Sequence, residues 1–302
     1  FVNSGAKDYI EKVIDLNEVT IFSDFNVNPK LEDVKKGINK VKDIDCELIV
    51  AIGGGSIIDM AKLISGLHNQ SQHDLGDIIN GLIKVEVDAI PILAIPTTSG
   101  TGSEATHFAV VYNNKVKYSF AAQQLLPQMV ILNSTLVMSQ SPYLMGCTGL
   151  DALSQAIESY WSINSTLESK NYAKKAIELL NNNLEKAVNL NNIEYCKKVA
   201  FASYLAGKAI NISKTTAAHA LSYAFTTYHN IPHGHAVFLT LPKFVSYNFD
   251  IKDKSLNDKR GVTFVKETMF NLIKIFELNH ASELELRLKE IARNIGIELD
   301  LK

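Results

Sequence analysis

Asp151 and Gln155 stand one helical turn apart in GLDALSQAIESYW, residues 149 to 161. A carboxylate and an amide on one helix face can both offer oxygen to a cation. An acid at the start of an amphipathic helix also suits the unpaired N–H groups and positive dipole end of a first turn, so the residues alone leave both readings of Asp151 open. Downstream, AAHALSYAFTTYHNIPHGHAV, residues 217 to 237, holds His219 on a helical stretch and His229, His233 and His235 in the loop after it. Half of the chain's eight histidines thus fall between positions 219 and 235. Imidazole ligates metals and carries protons, while a histidine taken singly is more often ordinary core or surface.

Two loops offer a second kind of chemistry. ELIVAIGGGSIIDMAK reads as strand, then Gly53, Gly54 and Gly55, then a helix capped by Ser56. Glycines there let backbone approach a phosphate, and the helix N-terminus supplies free N–H donors; a tight structural turn is the plainer alternative. The spacing G-x-G-x-x-G is met only in part, because Ile58 stands where the third glycine belongs. The second loop, IPTTSGTGSEATHF at 95 to 108, gathers Thr97, Thr98, Ser99, Thr101 and Ser103 after the next strand. Hydroxyls and amides at the carboxyl ends of neighbouring parallel strands are well placed to bind a ligand.

These residues need elements to hold them. Short runs apolar on both faces, VTIF at 19 to 22, ELIVAI at 47 to 52, IPILAIP at 90 to 96 and MVIL at 129 to 132, predict strands buried between helices. Helices are predicted over 29–41 and 56–67, the first with Pro29 near its start. Later the period changes: Leu167, Ala173, Ile177, Leu180, Leu184 and Val188 recur at helical spacing, with a helix end and loop expected over the polar stretch 181–193. The expected fold is an α/β, mainly parallel-sheet domain over residues 1–142 and an all-helical domain over 143–302. A chain of 302 residues suits two domains. Net charge is −2 with no long basic run, which speaks against a nucleic-acid or membrane-surface partner and for a small molecule. No apolar run approaches the roughly 20 residues of a membrane span. Cys46, Cys147 and Cys196 lie far apart without a CxxC pair, fitting a reducing cytoplasm.

Taken in order, the motifs resemble the iron-containing (group III) alcohol dehydrogenases, within the dehydroquinate-synthase-like superfamily. The resemblance runs over nearly the whole chain: NP at 28 to 29, GGGSIID at 53 to 59, PTTSGTGSE at 96 to 104, Lys117, GLDALSQAIESY at 149 to 160, and His219 and His233 fourteen apart with PHG. It implies a Rossmann-like first domain, a helical second domain, and a cytoplasmic homodimer acting on a small alcohol or aldehyde. In that family an Asp, a His four residues later and two later histidines bind a divalent metal, commonly iron and sometimes zinc. Carried over, Asp151, His219 and His233 are the ligands, and Gln155 occupies the family's second ligand position, where either its carbonyl oxygen or a water stands in place of an imidazole. Asp with two His matches both an iron site and a three-ligand zinc site. Tyr223 stands where many relatives have a histidine that handles protons, and its hydroxyl can take that part.

The resemblance also implies NAD or NADP as coenzyme. Gly54, Gly55, Ser56, Asp59, Thr97, Thr98, Thr101 and Lys117 match the family's coenzyme-contacting positions, and Asn28 one near the adenosine end. The chain opens on a helix, after the place of the family's first strand, and stops short of the family's helical end. The residue that separates NAD from NADP belongs to that earlier part. The reaction implied is interconversion of a short primary alcohol and its aldehyde, with the metal as Lewis acid. His107 and Phe108 fall where the family walls its substrate pocket, and SEATHFAVVY resembles the branch associated with phosphonate metabolism, which handles phosphonoacetaldehyde and 2-hydroxyethylphosphonate. Two rivals follow. One is a zinc-dependent lyase of the dehydroquinate-synthase type, opposed by the lack of Lys and Arg around the ligand positions. The other is a nucleotide-binding regulator, suggested by Gln155 and Tyr223.

Overall fold

The computed structural model describes residues 5–70, 72–114, 116–252 and 256–300. The chain divides into two compact units, Phe1–Thr98 with Ser103–Ser139 and Ser99–Gly102 with Gln140–Lys302.

The first unit runs α1 (Ala6–Ile10), α2 (Leu31–Lys42), β1 (Ile49–Gly53), α3 (Gly55–Leu67), α4 (Leu75–Ile79), β2 (Ile92–Pro96), β3 (Phe108–Asn113), β4 (Val116–Ala121), β5 (Met129–Val130) and α5 (Ser134–Val137). β1, β2 and β5 form a parallel sheet in that order, with Ile49 opposite Ile92 and Gly53 opposite Pro96. Small residues on the strands make room for a helix: Ala51 and Ala94 pack with Ile58 and Ala61 of α3. The other face of α3, Met60, Leu63, Ile64 and Leu67, meets Leu31, Val34 and Ile38 of α2. A helix apolar on both sides is buried on both sides.

Several local expectations are corrected. VTIF forms no strand: residues 20–26 lack regular structure. Their apolar content is used instead by Phe22 and Phe25, which stack at 5.2 Å and pack on the core of α2 and α3. An unexpected antiparallel pair, β3 with β4, follows the Thr-rich loop and turns at Asn114, whose φ of 49° is a conformation asparagine tolerates. Ser56 does not cap α3. Gly54 is the N-cap residue, with no side-chain cap.

The second unit is helical: α6 (Pro142–Trp161), α7 (Leu167–Leu190), α8 (Ile193–Ser213), α9 (Ala217–His229), α10 (His233–Phe238), α11 (Leu241–Phe249), α12 (Val262–Ile275) and α13 (Ala281–Asn294). α7 continues through the polar stretch expected to be a helix end and loop, and only Asn191 and Asn192 separate it from α8. Asn191 is left-handed at the C-cap, while the Asn192 side chain accepts from Glu194 N–H, so two asparagines close one helix and open the next. α6 starts at Ser141, whose hydroxyl accepts from Leu144 N–H, with Pro142 in the first turn. Among the described residues no helix is long and apolar enough to cross a membrane.

Candidate metal centre and coenzyme loops

Asp151 is the tenth residue of α6, not a first-turn acid, so the helix-dipole reading falls away. α6 is buried at every position from Gly149 to Tyr160, and Asp151 is 3% exposed. An ionised carboxylate in such a place needs a cationic partner. It has one in His219, in the first turn of α9, whose Nε2 lies 3.2 Å from Asp151 Oδ1. The other ring nitrogen, Nδ1, bonds to Glu158 Oε2.

His233 does not lie in a loop but opens α10, with its Nδ1 3.3 Å from Ser222 Oγ. Its ring meets that of His219 edge to face at 5.5 Å. One donor atom from each of Asp151, His219 and His233 lies within 4.8 Å of the other two. Carboxylate plus two imidazoles is a donor set for a transition metal.

Gln155, one turn after Asp151, gives an Nε2–H to the Thr101 carbonyl at 3.2 Å. That bond orients the amide and leaves Oε1 buried with no hydrogen-bond partner among the described residues. A buried carbonyl oxygen without a donor is unfavourable by itself, and a nearby cation relieves it. The residues present therefore fit a metal.

Tyr223 is exposed, and its ring stacks on His233 at 6.3 Å and 18°. The remaining histidines of the cluster do other work: His235 bonds to Tyr143 Oη and to the Glu298 carbonyl, and His229 ends α9 beside Phe225.

Two residues of this centre escape a reading of the sequence. Gly234 follows His233, and a Cβ there would sit 2.0 Å from the Cys147 carbonyl oxygen and 2.8 Å from Asp151 Cβ. Only glycine lets α10 rest against α6 at that point. Glu158 is fully buried behind His219. Its one sequence signal is an acid seven residues after Asp151 on a stretch that carries no other charge up to Trp161. Burial pushes its carboxyl up, but the His219 charge and hydrogen bonds from His219 and Thr216 outweigh burial and hold it below the usual range. His219 is the counterpart: burial pulls it down, while Glu158 and Asp151 raise it to about 9.

In the first unit, the glycine turn leads straight into α3. Thr97 N–H donates to Gly53 O at 2.9 Å, which carries the β1 and β2 pairing into the two loops. A Cβ on Gly54 would lie 3.3 Å from Thr98 Oγ1, so the missing side chain keeps the loops close. Ser56 Oγ accepts from Asn28 N–H at 3.1 Å, joining two positions 28 apart, and Asn28 takes a φ of 62° there. Asp59 accepts from Ser103 Oγ and Val110 N–H; burial pushes its carboxyl up, against the charges of Lys62 and Lys117 and these two hydrogen bonds. His107 meets Phe108 edge to face at 5.8 Å, both half-buried at the start of β3.

Lys62, also missed, pins the far end of the Thr-rich loop. It is fully buried on α3, and its ammonium faces Ser103 O and Oγ, Thr106 Oγ1 and Phe108 O. Burial lowers it to about 8 against the pull of Asp59 and Glu104. Burial raises neighbouring Glu104 from 4.5 to about 7. The fold therefore holds a proton on Glu104 that the unfolded chain gives up near its ordinary value. The resulting stability is fully present below about 4.5 and is lost as pH rises through about 7. Glu104→Gln, a neutral substitute, is expected to flatten this arm. Melting temperatures taken from pH 5 to 8 should fall less in the variant than in the wild type, and parallel curves would overturn the assignment.

The family profile described as iron-containing alcohol dehydrogenase matches residues 1–134, and that of the C-terminal part of the Fe-containing alcohol dehydrogenases matches 146–302. An NAD-dependent methanol dehydrogenase of Bacillus methanolicus is 34% identical over 78% of this chain and 62% of its own length. A 1,3-propanediol dehydrogenase of Klebsiella pneumoniae is 31% identical over 94% of this chain and 73% of its own. The crystal structure of sulfoacetaldehyde reductase from Bifidobacterium kashiwanohense in complex with NAD+ superposes with a TM-score of 0.88 at 30% identity, covering 100% of this chain and 77% of that one. The chain spans about three fifths of the length of the first curated relatives it matches. On both profiles and on these relatives, the chain belongs to the iron-containing alcohol dehydrogenase family.

Proposed function

We propose that the protein is an NAD(P)-dependent, metal-containing alcohol dehydrogenase that interconverts a short primary alcohol and its aldehyde. The observation that carries this is the meeting of Asp151, His219 and His233 within 4.8 Å in a chain of this family. These three residues would hold the metal, iron in the first instance and zinc as the alternative, with Gln155 Oε1 as a fourth, neutral donor. When bound, the metal supplies a Lewis acid and the coenzyme supplies the hydride chemistry.

The remaining roles belong to the chain itself. Gly54, Gly55 and Ser56, at the uncapped N-terminus of α3, offer N–H groups to the coenzyme's pyrophosphate. Asn28 is tied to that turn through Ser56. Thr97, Thr98, Thr101 and Lys117 complete the coenzyme contacts. Asp59, whose carboxylate binds Ser103 and Val110, acts by fixing the Thr-rich loop. Tyr223, stacked on His233, is the group that handles the proton of the alcohol.

The substrate class we assign is a short aldehyde bearing an anionic head, phosphonate or sulfonate. Support comes from His107 beside Phe108 and from the name of the sulfoacetaldehyde reductase above. A panel of phosphonoacetaldehyde, sulfoacetaldehyde and neutral aldehydes of equal length, run with NADH and with NADPH before and after chelation, tests both levels. Chelation is expected to abolish turnover and added Fe(II) to restore it, with kcat/KM higher on the anionic aldehydes. Activity indifferent to chelator would sink the metal reading, and equal or better rates on neutral aldehydes would sink the anionic one.

A further inference from the structure

Glu158 touches two things at once, and its two oxygens do not share them. Oε1 accepts from Thr216 N–H at 3.1 Å, Thr216 Oγ–H at 2.6 Å, Ala218 N–H at 3.0 Å and His219 N–H at 3.5 Å. Those are the first N–H groups of α9, which the helix itself leaves unpaired. Thr216, the N-cap residue, makes no side-chain cap of its own. Its hydroxyl hydrogen goes to Glu158, while its oxygen accepts from Trp161 Nε1–H at 3.0 Å. The cap of α9 therefore comes from α6, about sixty residues earlier. Oε2 bonds to His219 Nδ1, and the opposite ring nitrogen, Nε2, faces Asp151 at 3.2 Å.

We propose that Glu158 is a positioning residue with divided duties, Oε1 capping α9 and Oε2 holding the Nδ1 proton of His219, so that the proton released when a metal binds is the one on Nε2 and the neutral ring presents that nitrogen's lone pair. The inference rests on the metal reading above. A carboxylate has no hydrogen to give, so a neutral His219 can satisfy it only as the Nδ1–H tautomer. Glutamine at this position is the informative change. The space around Oε1 is filled by donors, so only the amide oxygen can sit there. The amide NH2 must then take the place of Oε2 and donate to Nδ1. A neutral His219 facing that NH2 carries its own proton on Nε2, where it blocks ligation. Glu158→Gln thus preserves the cap and inverts the tautomer, although it removes neither side chain nor volume.

The test uses the full chain, stripped by chelator and titrated with Co(II), with d–d absorption as the signature of ligation and thermal melting as the readout of the cap. Glu158→Gln is expected to melt near the wild type and to lose Co(II) affinity at least about 10- to 100-fold, the size of effect measured when a ligand's orienting partner is changed. Thr216→Val removes a donor to Oε1 and leaves Oε2 alone; it is expected to melt lower and to hold Co(II) within about threefold of the wild type, with an unchanged spectrum. Equal Co(II) binding by Glu158→Gln and wild type would overturn the division of duties, as would parallel losses of stability and affinity in both variants. A wild-type chain that takes up no Co(II) would overturn the metal reading, and this inference with it.

Discussion

Asp151→Ala is expected to yield a folded chain that keeps no metal and turns over at least about a thousandfold more slowly than the wild type. The size follows from the several kcal/mol that a Lewis acid contributes to such a reaction, at about 1.4 kcal/mol for each factor of ten. Asp151 is the one anion among the four proposed donors, and it is 3% exposed, so no water-borne substitute stands ready. Its loss leaves two imidazoles and an amide. The fold should survive because the α6 cap lies at Ser141 and Leu144, far from residue 151, and because a mid-helix alanine suits a helix. Gln155→Ala provides the scale: a neutral oxygen is a poorer donor than a carboxylate, so its loss of metal affinity should be at least about tenfold smaller. Elemental analysis, circular dichroism and steady-state rates on the three proteins check this. Stoichiometric metal in Asp151→Ala would remove Asp151 from the ligand set.

The fate of Asp151 also shows where sequence reasoning reaches and where it stops. Its pairing with His219 and His233 was legible because family motifs keep their order and spacing, and the switch from buried apolar runs to helical periodicity was legible because strands and helices place side chains at periods of 2 and 3.6. Its place within α6 was not, because the helix begins at Pro142, nine residues upstream of Asp151 and before the stretch that draws attention. VTIF misled for a related reason: apolar content does not say whether a strand partner exists, and here Phe22 and Phe25 found a helix pair instead. Ser56 looked like a cap by type, yet its hydroxyl serves Asn28 and Gly54 holds the cap position. Lys62, Glu158 and Gly234 share one cause of invisibility. Each acts on a partner 41 to 87 positions away, so nothing local marks it.

Gly234→Ala should damage the centre severely, although residue 234 offers it no donor atom. The added Cβ would meet the Cys147 carbonyl oxygen at 2.0 Å and the Cys147 carbonyl carbon at 3.0 Å. Both are backbone atoms of α6, where a carbonyl at 147 is the helical acceptor for the N–H of 151, so neither can step aside without breaking the turn that carries Asp151. α10 has to move instead, and His233, its first residue, moves with it. A displacement of even 1 Å takes His233 Nδ1 out of reach of Ser222 Oγ, already at 3.3 Å, and opens the grouping of His233 with Asp151 and His219. Overpacking of this kind costs about 1–3 kcal/mol, enough to lower the melting temperature by a few degrees and leave the chain folded. The expected outcome is therefore a folded protein with metal affinity and turnover both down at least about a hundredfold, read by Co(II) titration beside thermal melting. Because the obstacle is backbone, shortening the neighbouring side chain does not help, and the double variant Cys147→Ala with Gly234→Ala should remain as impaired as Gly234→Ala alone. Recovery in the double variant would place the clash in the Cys147 side chain, and full metal binding by Gly234→Ala would mean that α10 and α6 do not need their close contact to assemble the site.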